Sequence, residues 1–249
     1  MKLGYQNTDY PMTEMPVVEL TAIVFGTGGN QIRTVITGGK THDTFVFPSK
    51  RYRRAQCGDG ALELMIHQKH EVVSETLDFL SQPCRIEGTV DGRDARAFPD
   101  YAYVQIGRRP VLGEAKSSWE AFERPKALVQ KALTTKAAEA LGWEYEQTTP
   151  ANFGTQDFSA NVKVVQAHRF ANVTLRQEQA TRRALDRHDG LTLDDLAAAI
   201  DETLGRGTAL ACAMMVRRIV DIDLTKPISG CSRVRPAPER PLAFPRIRL

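Results

Sequence analysis

Cysteine is scarce in this chain, and long apolar runs are missing altogether. Only four of the 249 residues are cysteine (Cys57, Cys84, Cys212 and Cys231), and no two form a Cys-x-x-Cys pair, so neither a zinc ribbon nor a disulfide framework is indicated. No apolar stretch reaches the roughly 18 residues of a membrane span, and no signal peptide opens the sequence. The expectation is a protein of a reducing cytoplasm that makes no membrane contact. Two active-site signatures are also missing. The cluster Gly26-Thr27-Gly28-Gly29-Asn30 is followed by a β-branched run, not by the helix whose N-terminus would meet a nucleotide phosphate. No Ser or Cys carries a local base signature for nucleophilic catalysis.

What is present is the composition of a folded chain, 42% hydrophobic and 25% charged, with a formal net charge of +3. The length allows one or two domains, large enough to bury about 70% of the surface that the unfolded chain would expose. The charge is unevenly spread. Lys226, Arg233, Arg235, Arg240, Arg246 and Arg248 stand against Glu239 alone, so the tail from Lys226 is +5 and residues 1–225 are −2. Such a body is no uniform nucleic-acid coat, and a polyanion must meet a local patch. The densest is Lys50-Arg51-Tyr52-Arg53-Arg54, which reads either as an anion contact ahead of an apparent helix or as a solvated linker.

Residues 17–25 and 31–37 are rich in β-branched side chains and flank the glycine cluster, which predicts a hairpin, and 41–49 reads as a further extended piece. From Gly60 to Leu80 the apolar positions follow a helical stripe that Ser81-Gln82-Pro83 ends. Cys84 to Val90 alternates as a strand before the turn Asp91-Gly92-Arg93-Asp94. Phe98–Ile106 and Val111–Lys116 predict a second hairpin, Trp119–Leu141 a long helix ended by Gly142, and Trp143–Thr149 a strand. Residues 162–168 read as a strand or a helix start. Three helices then follow at about 174–187, 192–204 and 207–219, separated by Gly190 and the Gly205-Arg206-Gly207 break, with Thr192 as an N-cap. With an extended stretch at 219–224 this is a winged-helix-like order. The proline-bearing tail is expected to be extended, or disordered until bound.

The chemistry concentrates in Phe98-Pro99-Asp100 and, 14 and 16 residues further on, Glu114 and Lys116. Residues two apart in a strand share a face, so Glu114 and Lys116 point together. An odd-length loop around Gly107-Arg108-Arg109 puts Asp100 on that face, opposite Lys116; a two-residue turn would send it to the other side. Two carboxylates and an ammonium on one face suit Mg²⁺, a hard cation that prefers oxygen ligands. A metal there would neutralise a phosphodiester oxygen and lower the pKa of an attacking water. Lys116 would then meet the developing phosphate charge, and Glu63, in the first turn of the 60–80 helix, would complete the set. Each residue alone also has a plain structural reading. Asp100 starts a strand, Glu114 and Lys116 form a solvated stripe, and Glu63 caps its helix. His67 and His70, three apart on a helix, read as polar-face residues and not as metal ligands.

With these residues in this order, the stretch from Gly58 to Phe170 resembles the PD-(D/E)xK nucleases, and among them the TnsA-type endonucleases of heteromeric transposases. The matching pieces are Ala61-Leu62-Glu63-Leu64, Phe79-Leu80-Ser81-Gln82-Pro83, Phe98-Pro99-Asp100-Tyr101, Gly113-Glu114-Ala115-Lys116, the lysine-bearing helix and the aromatic strand at Trp143. The resemblance implies an α/β (α+β) fold: a restriction-endonuclease-like mixed sheet flanked by helices over residues 1–170, a small helical winged-helix-like partner-binding domain over 171–225, and the basic tail over 226–249. It implies an enzyme that cuts the 5′ strands at transposon ends in double-stranded DNA, in a bacterial cytoplasm. Its partners would be a DDE-type, TnsB-like transposase subunit and a AAA+, TnsC-like ATPase regulator. Glu63, Asp100 and Glu114 would be the acidic triad and Lys116 the motif lysine, with Mg²⁺ (or Mn²⁺) held by the acids and the Ala115 backbone carbonyl. The phosphate backbone would meet Arg51, Arg53, Arg54, Arg108, Arg109, Lys126 and Lys131. Residues 1–50 do not map onto that family. Two other readings stay open: a non-catalytic DNA-binding or assembly module, and an independent restriction-type endonuclease.

Overall fold

A computed structural model describes residues 16–33, 43–187 and 189–247, and its fold is mixed α+β. The central sheet has four strands: β4 (Thr76–Ser81), β7 (Tyr101–Gln105), β8 (Val111–Ala115) and β9 (Glu144–Thr148), in that order. The first three run antiparallel, and β9 joins parallel to β8 across the helix α2 (Pro125–Leu141). Proline at its first turn and left-handed Gly142 (φ 69°) at its end delimit α2. Its Leu133, Ala137 and Ala138 bury against Ala102, Val104 and Leu112 on one face of the sheet. The opposite face carries Tyr101, Tyr103 and Val111, and is covered by Ile66 of α1 (Gly60–Val72).

A second, antiparallel sheet orders β1 (Val18–Phe25), β5 (Cys84–Val90) and β6 (Arg93–Ala97), and it shares the apolar cluster beneath α2. β2 (Thr44–Ser49) and β3 (Arg54–Asp59) form a hairpin that leads into α1. The C-terminal region holds α3 (Gln156–Ala167), α4 (Leu175–Arg187), α5 (Leu193–Ile200), α6 (Leu204–Val216) and the pair β10 (Val220–Ile222) with β11 (Val234–Pro236). Thr192 and Asp195 close a reciprocal capping box on α5. The apolar cluster of this region includes Val72 of α1 and Val162 and Val165 of α3, so its contacts cross the boundary expected at residue 170.

Several expectations are corrected. The 60–80 helix ends at Val72, and 76–81 is β4, all six of whose residues are buried. A short, continuously buried run has no strand alternation, so periodicity alone cannot separate it from a helix. β1 pairs with β5, and most of the second arm of the expected hairpin, residues 34–37, lies outside the described residues. The turn after β5 is tighter than expected, with positive φ at Asp91 and Gly92 only, and Arg93 and Asp94 already belong to β6. The helix expected from Trp119 starts at Pro125, after a single 3₁₀ turn at Glu120–Phe122. Of the two readings of 162–168 the helix holds, although α3 already begins at Gln156. The Gly205-Arg206-Gly207 break lies inside α6: a Cβ on Gly207 would stand 2.3 Å from the Ala197 carbonyl oxygen, so glycine there lets α6 approach α5. The tail is docked, with Ile247 fully buried in the cluster beneath α2.

Candidate functional site

In the β7–β8 hairpin Tyr101 faces Gly113 and Tyr103 faces Val111, with residues 104–110 between them. The loop is odd in length, as the shared face requires, but the register is displaced by two from the one that sets Asp100 opposite Lys116. Asp100 instead comes beside Glu114, and the Asp100 N–H donates to the Gly113 carbonyl at 3.0 Å. A two-residue shift preserves the face, so Asp100 and Glu114 lie on the α2 side of the sheet. Gly113 is the hinge of this arrangement. A Cβ there would sit 2.1 Å from the Tyr101 ring, which occupies that space.

Asp100 and Glu114 are buried, at 9% and 0% exposure. The Ala115 N–H donates to Asp100 Oδ2 at 2.8 Å, and Lys116 Nζ stands 3.7 Å from the same oxygen. Lys116 also rests over the Phe122 ring, 5.8 Å from its centroid, which fixes the flexible ammonium beside the carboxylate. Thr134 of α2 donates to Glu114 Oε1 at 2.6 Å, but Glu114 Oε2 is buried with no partner. The Tyr145 hydroxyl, near enough to interact with both Glu114 and Gln147, and Gln147 Nε2 are also buried on this face without a well-formed hydrogen bond, and Gln147 is the β9 residue in register with Glu114. Orphaned buried donors and acceptors on one face mark a place where a polar or ionic group is missing.

Burial pushes the Glu114 carboxyl up to about 7 against the Thr134 hydroxyl, which favours its charged form. Burial also raises Asp100, although the Lys116 ammonium and the Ala115 N–H pull the other way. Glu63 rises to about 8, first through burial and then through the Asp100 charge, so the α1 acid and the hairpin acids share one field. Glu63 also behaves as a cap, because the Asp59 N–H donates to its Oε2 at 3.1 Å. Asp100, Glu114 and Lys116 are therefore brought together, while Glu63 joins them electrostatically and is anchored at the start of its own helix. Among the described residues no three His, Cys, Asp or Glu side chains are gathered as a ready metal shell. The donors still suit a hard cation in kind: all are oxygens, one is buried without a partner, and the protons they retain mark an uncompensated field.

The predicted DNA contacts divide sharply. Arg51 points inward, donating to the carbonyls of Val72 and Val73 at the end of α1 and of Met215 and Val216 at the end of α6, at 2.5–3.2 Å. Arg54 is held by the Gly29 and Phe79 carbonyls and by Asp78. Arg108 is locked to Glu144 at 2.7 Å and Glu146 at 3.1 Å, and also donates to the Tyr103 hydroxyl. These three are structural clamps, a correction to their reading as phosphate contacts. Arg109 is 68% exposed beside Glu144, and Arg53 and Lys126 are exposed, with Lys131 half-buried. His67 and His70 are not on a polar face. Both are buried, His67 among Phe45, Phe47 and Phe79 and His70 among Phe79, Tyr101 and Tyr103, and burial holds His67 down at about 4. Sequence reasoning missed Thr134, Tyr145 and Arg33, the last of which adds a positive charge beside Asp100; none carries a local motif, and only the packing of α2 and β9 brings the first two to the acids.

No protein-family model and no curated protein matches this chain. Among the described residues no helix is long and apolar enough to cross a membrane.

Proposed function

We propose that the chain is a metal-dependent DNA endonuclease, acting as the subunit of a heteromeric transposase that hydrolyses the 5′ strands at transposon ends. The observation that carries the reading is the single face on which Asp100, the half-unpartnered Glu114 carboxylate and Lys116 meet. Asp100, Glu114 and the Ala115 carbonyl would hold Mg²⁺ or Mn²⁺, which when bound supplies charge neutralisation at a phosphodiester oxygen and acidifies water. Lys116 offers a point charge to the phosphate, steadied by Asp100 and Phe122. Glu63, still protonated near neutral pH, holds or releases a proton at its carboxyl beside them. Arg109, Lys126 and Lys131 remain as phosphate contacts, none of which reads sequence by itself. A DDE-type transposase subunit and a AAA+ regulator would supply the target choice, and the winged-helix-like order of α4 to α6 with β10 and β11 is the surface offered to them.

The test measures nicking of end-bearing duplex DNA by the full chain, with and without its transposase partner, in Mg²⁺ or Mn²⁺. Asp100→Ala should abolish cleavage while assembly persists. No cleavage by the wild-type assembly with either metal sinks the enzyme reading and leaves a DNA-binding or assembly module. Cleavage by the chain alone would make it an independent endonuclease.

A further inference from the structure

A cavity of about 1070 Å³ opens where the β2–β3 turn, α4, the end of α6 and the C-terminal tail meet, and none of Glu63, Asp100, Glu114 or Lys116 lines it. Its lining holds eight Lys or Arg residues against two acids, Asp78 and Glu178. Asp78 is already engaged with Arg54 at 3.4 Å. Among the described residues none of the eight cations forms an ion pair. Those side chains that bond within the protein do so to neutral groups, while the backbone N–H groups of Lys50 and Arg51 donate to the buried Glu71 carboxyl at 2.6 and 2.9 Å. Arg217 donates to the Ala171 carbonyl at 2.9 Å, Arg218 to the Ser74 and Pro238 carbonyls at 2.6 and 3.0 Å, and Arg240 lies over the Phe244 ring, 4.6 Å from its centroid. A carbonyl or a ring orients a guanidinium without cancelling its charge. Like charge gathered in a concave site is unfavourable until an anion enters it, and Arg218 registers the crowding, drawn down by burial and then by the charges of Arg51 and Arg240.

We propose that this cavity is a binding site for a compact polyphosphate ligand of the nucleoside triphosphate class. The planar guanidinium forks of Arg182, Arg240 and Arg246 match phosphate oxygens two at a time, while Arg51, Arg217 and Arg218, whose N–H groups are spent on carbonyls, add positive field to the same hollow. Tyr52, Phe170 and Phe244 add aromatic surface for a base, and Phe170 is 54% exposed at the site. At about 1070 Å³ the volume lies at the upper end of small-molecule sites, roughly 300–1,000 Å³. Arg240, Phe244 and Arg246 come from the tail, so a bound ligand also holds the tail to the body.

Calorimetric titration of the full chain with ATP and with inorganic tripolyphosphate, in EDTA and at about 0.15 M salt, tests the site. Dissociation constants below about 100 μM are expected, with Arg182→Glu and Arg240→Glu each weakening both ligands about tenfold or more. Phe170→Ala should weaken ATP and spare tripolyphosphate, and Asp100→Ala should change neither, which separates this site from the nuclease reading. Thermal melts check that each variant folds, with Arg182→Gln replacing any that does not. The proposal is overturned by no binding of either ligand up to about 1 mM, or by folded variants that bind as the wild type does. It is also overturned if single-stranded DNA binds more tightly than ATP and is lost with the same variants, which would make the cavity a nucleic-acid groove.

Discussion

Glu114→Gln should stabilise the metal-free protein at alkaline pH and remove its response to metal. Gln keeps the volume of the side chain and an oxygen for the Thr134 hydroxyl, and it deletes the charge on the oxygen that has no partner. In the fold the carboxyl titrates at about 7, above its ordinary 4.5. A raised carboxyl pKa contributes stability that is present below the unfolded value and lost as pH rises through the folded one. At pH 4, below the unfolded value, Glu114 is largely protonated in both states and the variant gains little. At pH 8 the wild type carries a buried carboxylate, and relieving it is worth about 3 kcal/mol, or about 6–12 °C of melting temperature for a chain of this size. Denaturant titrations in EDTA at the two pH values read the difference. With Mg²⁺ at pH 8 the wild type should gain stability and the variant should not, because a ligand that binds only the folded state stabilises by mass action. A variant destabilised equally at both pH values would refute the claim that Glu114 is a strained, uncompensated acid.

Arg51→Ala removes the fork that joins the ends of α1 and α6, and urea denaturation should show a loss of about 3–5 kcal/mol, with Arg51→Lys recovering little of it; a loss below about 1 kcal/mol would remove the clamp. His67 is held near 4, so the folded chain takes up its proton less readily than the unfolded one, and its stabilisation falls as pH drops from about 6.5 to about 4. The stability difference between wild type and His67→Phe should therefore shrink by about 3 kcal/mol across that window, and a pH-independent difference would show that the imidazole is charged or solvated. Gly113→Ala drives a methyl into the Tyr101 ring and should cost about 1–3 kcal/mol or more in thermal melts, partly relieved by Tyr101→Ala; an unchanged midpoint would mean that the ring is free to move. Ile247→Ala should cost about 2–5 kcal/mol in denaturant titrations because its side chain is part of the core, and a cost near zero would make the tail a passive extension.

Asp100, Glu114 and Lys116 were legible in the sequence because face-sharing along a strand depends only on parity, and parity survives a two-residue error in register. The exact pairing was not legible, because it is fixed by Tyr101 filling the space above Gly113, a contact between strands that no local pattern records. The ends of α2 and α5 are legible because caps are local signals, Gly142 closing α2 and Thr192 opening α5, whereas Gly205 and Gly207 mislead because they lie inside α6 where it packs on α5. β4 reads in the sequence as the end of α1 because all six of its residues are buried, which erases the alternation that distinguishes a strand. The third acid shows a different limit. Glu63 was read both as a site residue and as a helix cap; its contact with the Asp59 N–H and its link to the Asp100 charge show one carboxylate in both positions.

The basic residues carry the harder lesson, since a sequence counts charges without saying which of them face an acid. In Lys50-Arg51-Tyr52-Arg53-Arg54 four cations stand together, yet Arg51 and Arg54 are directed inward onto carbonyl oxygens and Asp78. The hydrogen bonds fix the fold and, where the acceptor is neutral, leave the charge in place. A guanidinium used in this way binds the structure through its N–H groups while its field extends beyond it. Arg51, Arg217 and Arg218 follow that rule around one hollow, and the tail adds Arg240 and Arg246 to the same field. The +5 tail and the −2 body are therefore not two separate electrostatic regions. Arg240 and Arg246 of the tail add their charge to the basic hollow of the body, and Ile247, buried in the cluster beneath α2, anchors this part of the tail against like-charge repulsion. Raising the salt concentration screens that repulsion, so the ligand-free chain should become more stable between about 0.05 and 0.5 M NaCl, and Arg240→Gln should flatten the rise. A melting temperature that falls with salt would show instead that attractive pairs dominate at the tail.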